Sequence, residues 1–526
     1  MIHRRSLIAA GGLALASPRL GLAAVDRTMR FAPYSDVASL DPVWTTINST
    51  RTHGYLVYDT LYGWDAQYRP QPQMVEGHVV EDDGRRWTLK LREGLRFHDG
   101  EPVRGRDVVA SIRRWAARDT FGQALFAVVD SFEAPTDRTV VFRLRRPFPL
   151  LPVVLGKAST PMPCIMPERL ALTDPSRQVT EAIGSGPYRF LPEERVPGAF
   201  LAYERFAGYV PRPDGEISFT AGPKVAHMDR VELRVIPDPA TQASALRAGE
   251  IDWLEQVIAD LRPFLSRDRN VRLEVLDPNG QIGIMRFNQL QPPFDNPAIR
   301  RAILGAINQR DFMTASAGED PAMWRAGVGA FCPDTPMAND VGIEALTSPR
   351  NPARVRAALA EAGYRGEPIV LLDAANNATT HPLAAVASQM FGDIGMNVDT
   401  QSLDQVVVVQ RRNSRAPVSE GGWSVLVTYF TGPDMFTPAT HQVLRGNGAD
   451  AWYGWPTAPR IEQLRDAWLE TGDEGEQKRI CGELQRQLWE DVPYIPLGQA
   501  KGMTGYRRNV SGVLSGFPLF WNVRKN

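Results

Sequence analysis

The side chains that could do chemistry are present in this chain, but not at spacings that would make them act together. Seven histidines are scattered singly: His3, His53, His78, His98, His227, His381 and His441. None forms the chelating pair that metal binding from one helix requires. Ser185 lies between Gly184 and Gly186, but Gly-Ser-Gly-Pro is a turn signal and not a Gly-x-Ser-x-Gly nucleophile elbow. There is no His-Glu-x-x-His and no phosphate-binding glycine loop. The 60 acidic residues include no pair marked out by spacing. Of three cysteines, an odd number, at least one stays unpaired. Cys481 shares an apolar helical face with Ile480, Leu484 and Leu488, which predicts a buried thiol. An oxidising compartment would permit a Cys164–Cys332 bridge. The residues thus predict a protein that is not an enzyme and carries no metal or cofactor. The alternative is a hydrolase whose residues only the fold assembles.

The elements that must position these groups can be read from periodicity. Trp87, Leu89 and Leu91 alternate with Thr88, Lys90 and Arg92 as a half-buried strand after an Asp82-Asp83-Gly84 turn. Asp107 is placed to cap a helix carrying Val108, Ile112 and Trp115. Val231, Leu233 and Val235 form another alternating strand. Asn296-Pro297 and Asn351-Pro352 open helices bearing Ile299, Ile303 and Ile307, and Val355, Leu359 and Ala362, the second closed by Gly363. Strands and helices alternate throughout, so the class is α/β, or α+β, with mixed sheets. A chain of 526 residues is too long for one core and predicts at least two lobes. At 43% hydrophobic and 23% charged, disorder is excluded, and a net charge of −1 gives no field for nucleic acid.

Residues 1–24 read as an export signal: Arg4 and Arg5, a short apolar run from Leu7 to Ala16, then small residues around Gly21, Ala23 and Ala24. The run is shorter than the ~20 residues that span a bilayer. Arg4-Arg5-Ser6-Leu7-Ile8 also resembles a twin-arginine signal. Cleavage near Ala24 would remove three arginines and no acid, taking the charge from −1 to −4. No cysteine lies there for a lipid anchor, so the expected location is the periplasm.

A longer pattern then carries a resemblance. Glu81-Asp82-Asp83-Gly84-Arg85-Arg86-Trp87-Thr88-Leu89-Lys90-Leu91-Arg92 is followed by Gly94-Leu95-Arg96-Phe97-His98-Asp99-Gly100, Glu101-Pro102-Val103 and Asp107-Val108-Val109-Ala110-Ser111. This resembles the signature of the peptide/nickel/opine family (family 5) of extracellular solute-binding proteins, the receptors of ABC importers. Leu40-Asp41-Pro42, Tyr58-Asp59-Thr60-Leu61, Gly184-Ser185-Gly186-Pro187-Tyr188, Ala245 to Asp252, Phe287-Asn288, Glu361-Ala362-Gly363-Tyr364 and Glu490-Asp491-Val492-Pro493 follow in the same order. The resemblance implies a two-lobed periplasmic-binding-protein clamp. One lobe would hold residues 25–278 plus 500–526, with an inserted subdomain at 71–186; the other would hold 279–499. It further implies a monomer that closes on a small solute and presents it to membrane permease subunits.

The resemblance also suggests where the solute sits. Gly421 to Phe436 is similar to the second-lobe loop that supplies an aromatic wall and a ligand anchor. Where peptide binders of the family place an aspartate for the ligand ammonium, this chain has Tyr429. A buried ammonium without a carboxylate is costly. The expected ligand is therefore a capped or cyclic peptide, an opine, glutathione or a sugar-like solute, more than a peptide with a free N-terminus. Trp44 is expected on the first-lobe side of the cleft. Trp423, Tyr429, Trp452 and Trp455 are expected on the second. Asp434 is a candidate contact as well as a turn or cap residue, and Arg445 either faces an anionic group or forms a salt bridge. Because the family includes nickel and haem receptors, His441 near that loop is the one histidine that could reach a chelated metal.

Overall fold

The computed structural model describes residues 26–526, so the proposed signal and its cleavage site near Ala24 lie outside the described residues. Two large mixed sheets organise the chain. The first orders Tyr188–Phe190, Phe200–Arg205, Arg230–Arg234, Thr28–Ala32, Trp253–Leu254, Thr504–Arg507 and Val271–Glu274. Thr28–Ala32 runs parallel to both neighbours, and the other pairs are antiparallel. The second orders Trp324–Arg325, Tyr494–Ala500, Gln281–Phe287, Val425–Thr431, Pro368–Ala374 and Asn397–Leu403. Pro368–Ala374 is parallel to both its partners there.

The chain passes from the first sheet to the second between Glu274 and Gln281 and returns between Ala500 and Thr504. Glu274 pairs with Thr504 and Gln281 pairs with Ala500, so the two crossings run side by side. Such a pair of short segments is where two lobes can rotate with few dihedral changes.

A separate antiparallel sheet of Val75–Glu81, Arg86–Leu91, Thr139–Leu144 and Val129–Thr136 is covered by helix Gly105–Ala116. Trp87, Leu89 and Leu91 face its core, and the preceding turn puts Asp82, Asp83 and Gly84 at positive φ. The helix begins two residues before Asp107. Asp107 is its third residue and reaches back to accept the Arg104 N–H at 2.7 Å, the acid's half of a capping box, so it secures the helix start from within and is not the cap. Asn296 and Asn351 cap their helices as expected.

The quoted motifs hold this frame together. Asp41 and Arg114 form a bidentate pair at 2.6 and 3.1 Å, both essentially inaccessible, and Asp41 also accepts the Val43 and Val179 amides. Asp59 holds the buried Lys224 ammonium through one oxygen at 2.7 Å. A Cβ on Gly184 would lie 2.2 Å from the Val57 carbonyl, so that position admits only glycine. His98 bonds the Gly186 carbonyl through Nε2 at 3.0 Å, and the Ser185 hydroxyl is buried with no hydrogen-bond partner among the described residues. The Gly-Ser-Gly turn is thus a packing joint. All three thiols are buried and free; the Cys164–Cys332 bridge is not formed, and Cys332 instead contacts the Asn279 carbonyl and Gln499.

Candidate ligand-binding site

The two sheets meet across a cavity of about 100 Å³ beside the hinge. At 10–15 Å³ each, that is room for roughly seven to ten water-sized groups. Its walls come from both lobes: Arg51, Glu255 and Phe517 from the first, Ser316, Thr379 and Tyr429 from the second, with Asp277 and Lys501 on the crossings. The lobes touch around it. Arg262 donates to the Ala317 carbonyl at 3.0 Å, at the C-terminus of helix Gln309–Ala317, where the helix dipole favours a cation. Tyr68 meets Phe436 edge-on at 4.4 Å, and Arg465 donates to the Thr120 carbonyl at 3.0 Å. These contacts join the two lobes around the cavity.

The second-lobe wall is a neutral polar network. Ser316 donates to the Thr379 carbonyl at 3.0 Å, so the Tyr429 hydroxyl, 2.7 Å away, donates to Ser316. Burial raises the Tyr429 phenol well above its usual range and keeps it neutral.

The first-lobe wall is charged. Glu255 accepts the Tyr34 amide at 2.9 Å; enclosure in protein pushes its carboxyl up to about 7, against the pull of that hydrogen bond and of Arg51. Burial likewise raises Asp277, which accepts the Asn279 amide at 3.0 Å. Arg51, in the first turn of helix Asn48–Val57, is 5% exposed and sits 4.0 Å from the centre of the Phe517 ring. Its Nε is buried without a partner. Among the described residues its guanidinium donates no hydrogen bond and has no carboxylate within 4.0 Å.

Of the aromatic and polar residues expected at the cleft, Tyr429 is the one this cavity gathers. Trp423 is completely buried, packed 6.3 Å from Trp455 inside the second lobe, and Trp455 is itself 5% exposed beside Arg415. Trp452 packs on Phe430 and Arg286. Loop position suggests the cleft for these rings, but rings of this size bury themselves wherever a core lies under the loop. Trp44 donates its indole N–H to the Ser176 carbonyl at 3.1 Å, within the first lobe. Asp434 accepts both the Thr431 hydroxyl at 2.6 Å and its amide, as the third-position partner of a capping box whose cap is Thr431. Arg445 is bound by Glu462 at 2.8–3.0 Å. It borders a second interlobe cavity with Arg146, Phe148 and Glu470. His441 is buried with both ring nitrogens engaged, Nε2 near the Ala330 carbonyl at 2.8 Å and Nδ1 accepting the Leu444 amide, and burial lowers it to about 4. It is not at the cavity, and among the described residues no group of three or more potential metal ligands occurs.

The acids of this cavity are Glu255 and Asp277, on the wall opposite Tyr429, and neither stands out in the sequence. Arg51 does not stand out either, although it leaves a trace there. It lies in a predominantly uncharged helix with no acid three or four residues away on either side. Asp277-Pro278-Asn279-Gly280 reads as a turn, and nothing local marks its acid as cavity-facing.

Comparison with known proteins places this geometry. Residues 69–447 match the model of the bacterial extracellular solute-binding proteins, family 5 Middle. A protein of Sinorhizobium fredii named a probable peptide ABC transporter periplasmic-binding protein, y4tO, is 37% identical over all of this chain and 99% of its own. The glutathione-binding protein GsiB of Pectobacterium atrosepticum is 26% identical over 97% of this chain and 96% of its own. Among solved structures, the PBP AgaA of A. tumefaciens R10 with agropinic acid superposes with a TM-score of 0.80 at 19% identity, over 95% of this chain and 99% of that one. Neither the hydrolase nor the nickel or haem alternative gains support from these relatives or from the site. By a family match over most of its length and a full-length relative at 37% identity, the chain belongs to family 5 of the bacterial extracellular solute-binding proteins, the substrate-binding receptors of ABC importers.

Proposed function

We propose that this receptor captures one small, peptide-like solute at the hinge cavity and hands it unchanged to its permease. The single observation that carries this is the wall itself: Arg51, Glu255 and Phe517 face Ser316, Thr379 and Tyr429 across the join of two sheets. A solute that touches both walls does so only in the closed form, and it therefore shifts the population toward closure. The cavity volume suits a compound of about ten non-hydrogen atoms, the size of the smallest dipeptides, and not an extended oligopeptide. The lobes in this reading are residues 25–278 with 500–526, and 279–499. The protein is exported, cleaved near Ala24, and works in the periplasm as a monomer. No helix among the described residues is long and apolar enough to cross a membrane, which fits that placement.

Native mass spectrometry of protein from the periplasm, followed by extraction, tests the reading. A released small molecule that rebinds intact, with contraction in X-ray scattering, is the expected result. A molecule returned chemically altered, or binding with no change in dimensions, would overturn it.

A further inference from the structure

Arg51 is the buried cation of the cavity wall whose guanidinium meets no hydrogen-bond acceptor among the described residues. Elsewhere the described structure gives its buried cations acceptors: Arg114 on Asp41, Lys224 on Asp59 and Lys157 on Asp119 at 2.6–2.7 Å, and Arg286, Arg300 and Arg465 on backbone carbonyls. Burying a charge without a partner is costly, so an exception at a cavity wall implies a partner that comes from outside. The guanidinium carbon lies over the Phe517 ring, an arrangement that supports the cation while leaving its N–H edge available for a bidentate acceptor. Glu255 and Asp277 line the same cavity, near enough to Arg51 to feel its charge yet outside ion-pair distance. Only backbone amides donate to them among the described residues: Tyr34 to Glu255, and Asn279 with the nearby Gly280 to Asp277.

We infer that Arg51 anchors a carboxylate of the solute, while Glu255 and Asp277 take a cationic group on the same molecule, so that the receptor selects a small zwitterion with amino-acid-like ends. This rests on the small-solute reading above and names its substrate class. A carboxylate fits better than a phosphate. A doubly charged anion would face the two acids in a cavity of about 100 Å³, whereas a zwitterion leaves the cavity charge unchanged. The objection to a free ammonium, that Tyr429 stands where an acid is expected, falls away because the acids are on the other wall.

The test uses the full mature chain, washed free of solute in denaturant and refolded. The probes are Gly-Gly, Gly-Gly amide, N-acetyl-Gly-Gly, a mixed set of other dipeptides with their amides, and neutral sugars, read by thermal shift and calorimetry. Dipeptides with both free ends should bind, with amidation weakening binding about 30-fold or more, the size expected for losing one partner of a buried charge pair. Arg51→Gln should abolish the distinction between acid and amide, Arg51→Lys should restore part of it, and Glu255→Gln should reduce the preference for a free amine over its acetyl form. Because Arg51 has no hydrogen-bond or ion-pair partner to lose and a methionine still packs on Phe517, Arg51→Met should leave the melting temperature of the solute-free protein unchanged or higher. A structural arginine would lower it, and that result would overturn the inference without any ligand. Acids and amides binding equally, or sugars binding where no acid does, would also overturn it while leaving the receptor reading intact. Failure of every probe, with no co-purified molecule, would count against both.

Discussion

The carboxyl of Glu255 offers a sharp test of the cavity's electrostatics, because its behaviour in the folded protein differs from that in the unfolded chain by a predictable amount. Burial raises it from 4.5 to about 7. The folded protein therefore holds this proton more tightly than the unfolded chain. The associated stability is complete below about pH 4.5, declines as pH rises, and is lost once pH passes about 7. A tenfold difference in proton affinity is worth about 1.36 kcal/mol, so the loss is on the order of 3 kcal/mol. Glu255→Gln supplies the control. A glutamine carbonyl still accepts the Tyr34 amide but cannot ionise, so it imitates the protonated acid at every pH. The variant should match the wild type near pH 5 and exceed it by about 3 kcal/mol at pH 8. Denaturant titrations of both proteins at intervals across this range, after removal of bound solute, give the difference directly, and groups common to both cancel. A difference that stays flat, or that grows toward acid, would refute the assignment of a desolvated, unpaired carboxyl at this wall.

Three further outcomes follow from other parts of the fold. Asp41→Asn leaves Arg114 buried without its counter-charge and should cost about 3–5 kcal/mol in denaturant unfolding, though it lies away from the hinge cavity. Arg262→Met removes the cross-lobe bond to the Ala317 carbonyl, a hydrogen bond from a charged group worth about 1.5–3 kcal/mol; solute affinity should fall about tenfold or more in calorimetry, with the individual lobes unchanged by circular dichroism. Burial pushes the Cys332 thiol up to about 12 and raises Cys164 and Cys481 as well, so a thiol reagent should label none of the three in native protein and all three in denaturant, and a reductant should leave the melting temperature unchanged.

Legibility in the sequence divides along the range of the forces involved. The elements are readable where a periodic apolar face or a cap is a local matter, as with Trp87, Leu89 and Leu91 on their strand, or Asn296 before Pro297. The motif acids Asp41 and Asp59 and the turn at Gly184 are recognisable by pattern; their partners, Arg114, Lys224 and the Val57 carbonyl, appear only in three dimensions. The cavity is less legible. Tyr429 can be located, but the tryptophans around it belong to the second-lobe core, since ring type and loop position do not say on which side of a strand a core lies. Arg51, Glu255 and Asp277 are separated by up to 226 positions in the chain, and what joins them is a shared wall and not a spacing. Asp107 shows the same limit on a small scale: its sequence context ties it to the start of its helix, but it works by reaching back from the third position and not by standing at the cap.

The unpaired charges at the first-lobe wall also bear on how such a receptor avoids closing for nothing. When the lobes come together, Arg51, Glu255 and Asp277 lose water, and nothing on the opposing wall compensates them, because Ser316, Thr379 and Tyr429 are neutral and bonded to one another. Closure without a solute therefore carries a desolvation penalty, which the carboxyl of Glu255 reduces only by taking up a proton. A zwitterion removes that penalty at both ends, and a neutral solute of equal size does not. The contacts that join the lobes elsewhere, Arg262 on Ala317 and Tyr68 on Phe436, are between protein groups alone, so they set how far the lobes travel but cannot discriminate. Discrimination must come from the interaction that changes sign when the solute is present, and in this cavity that is the charge on Arg51 and the two acids beside it.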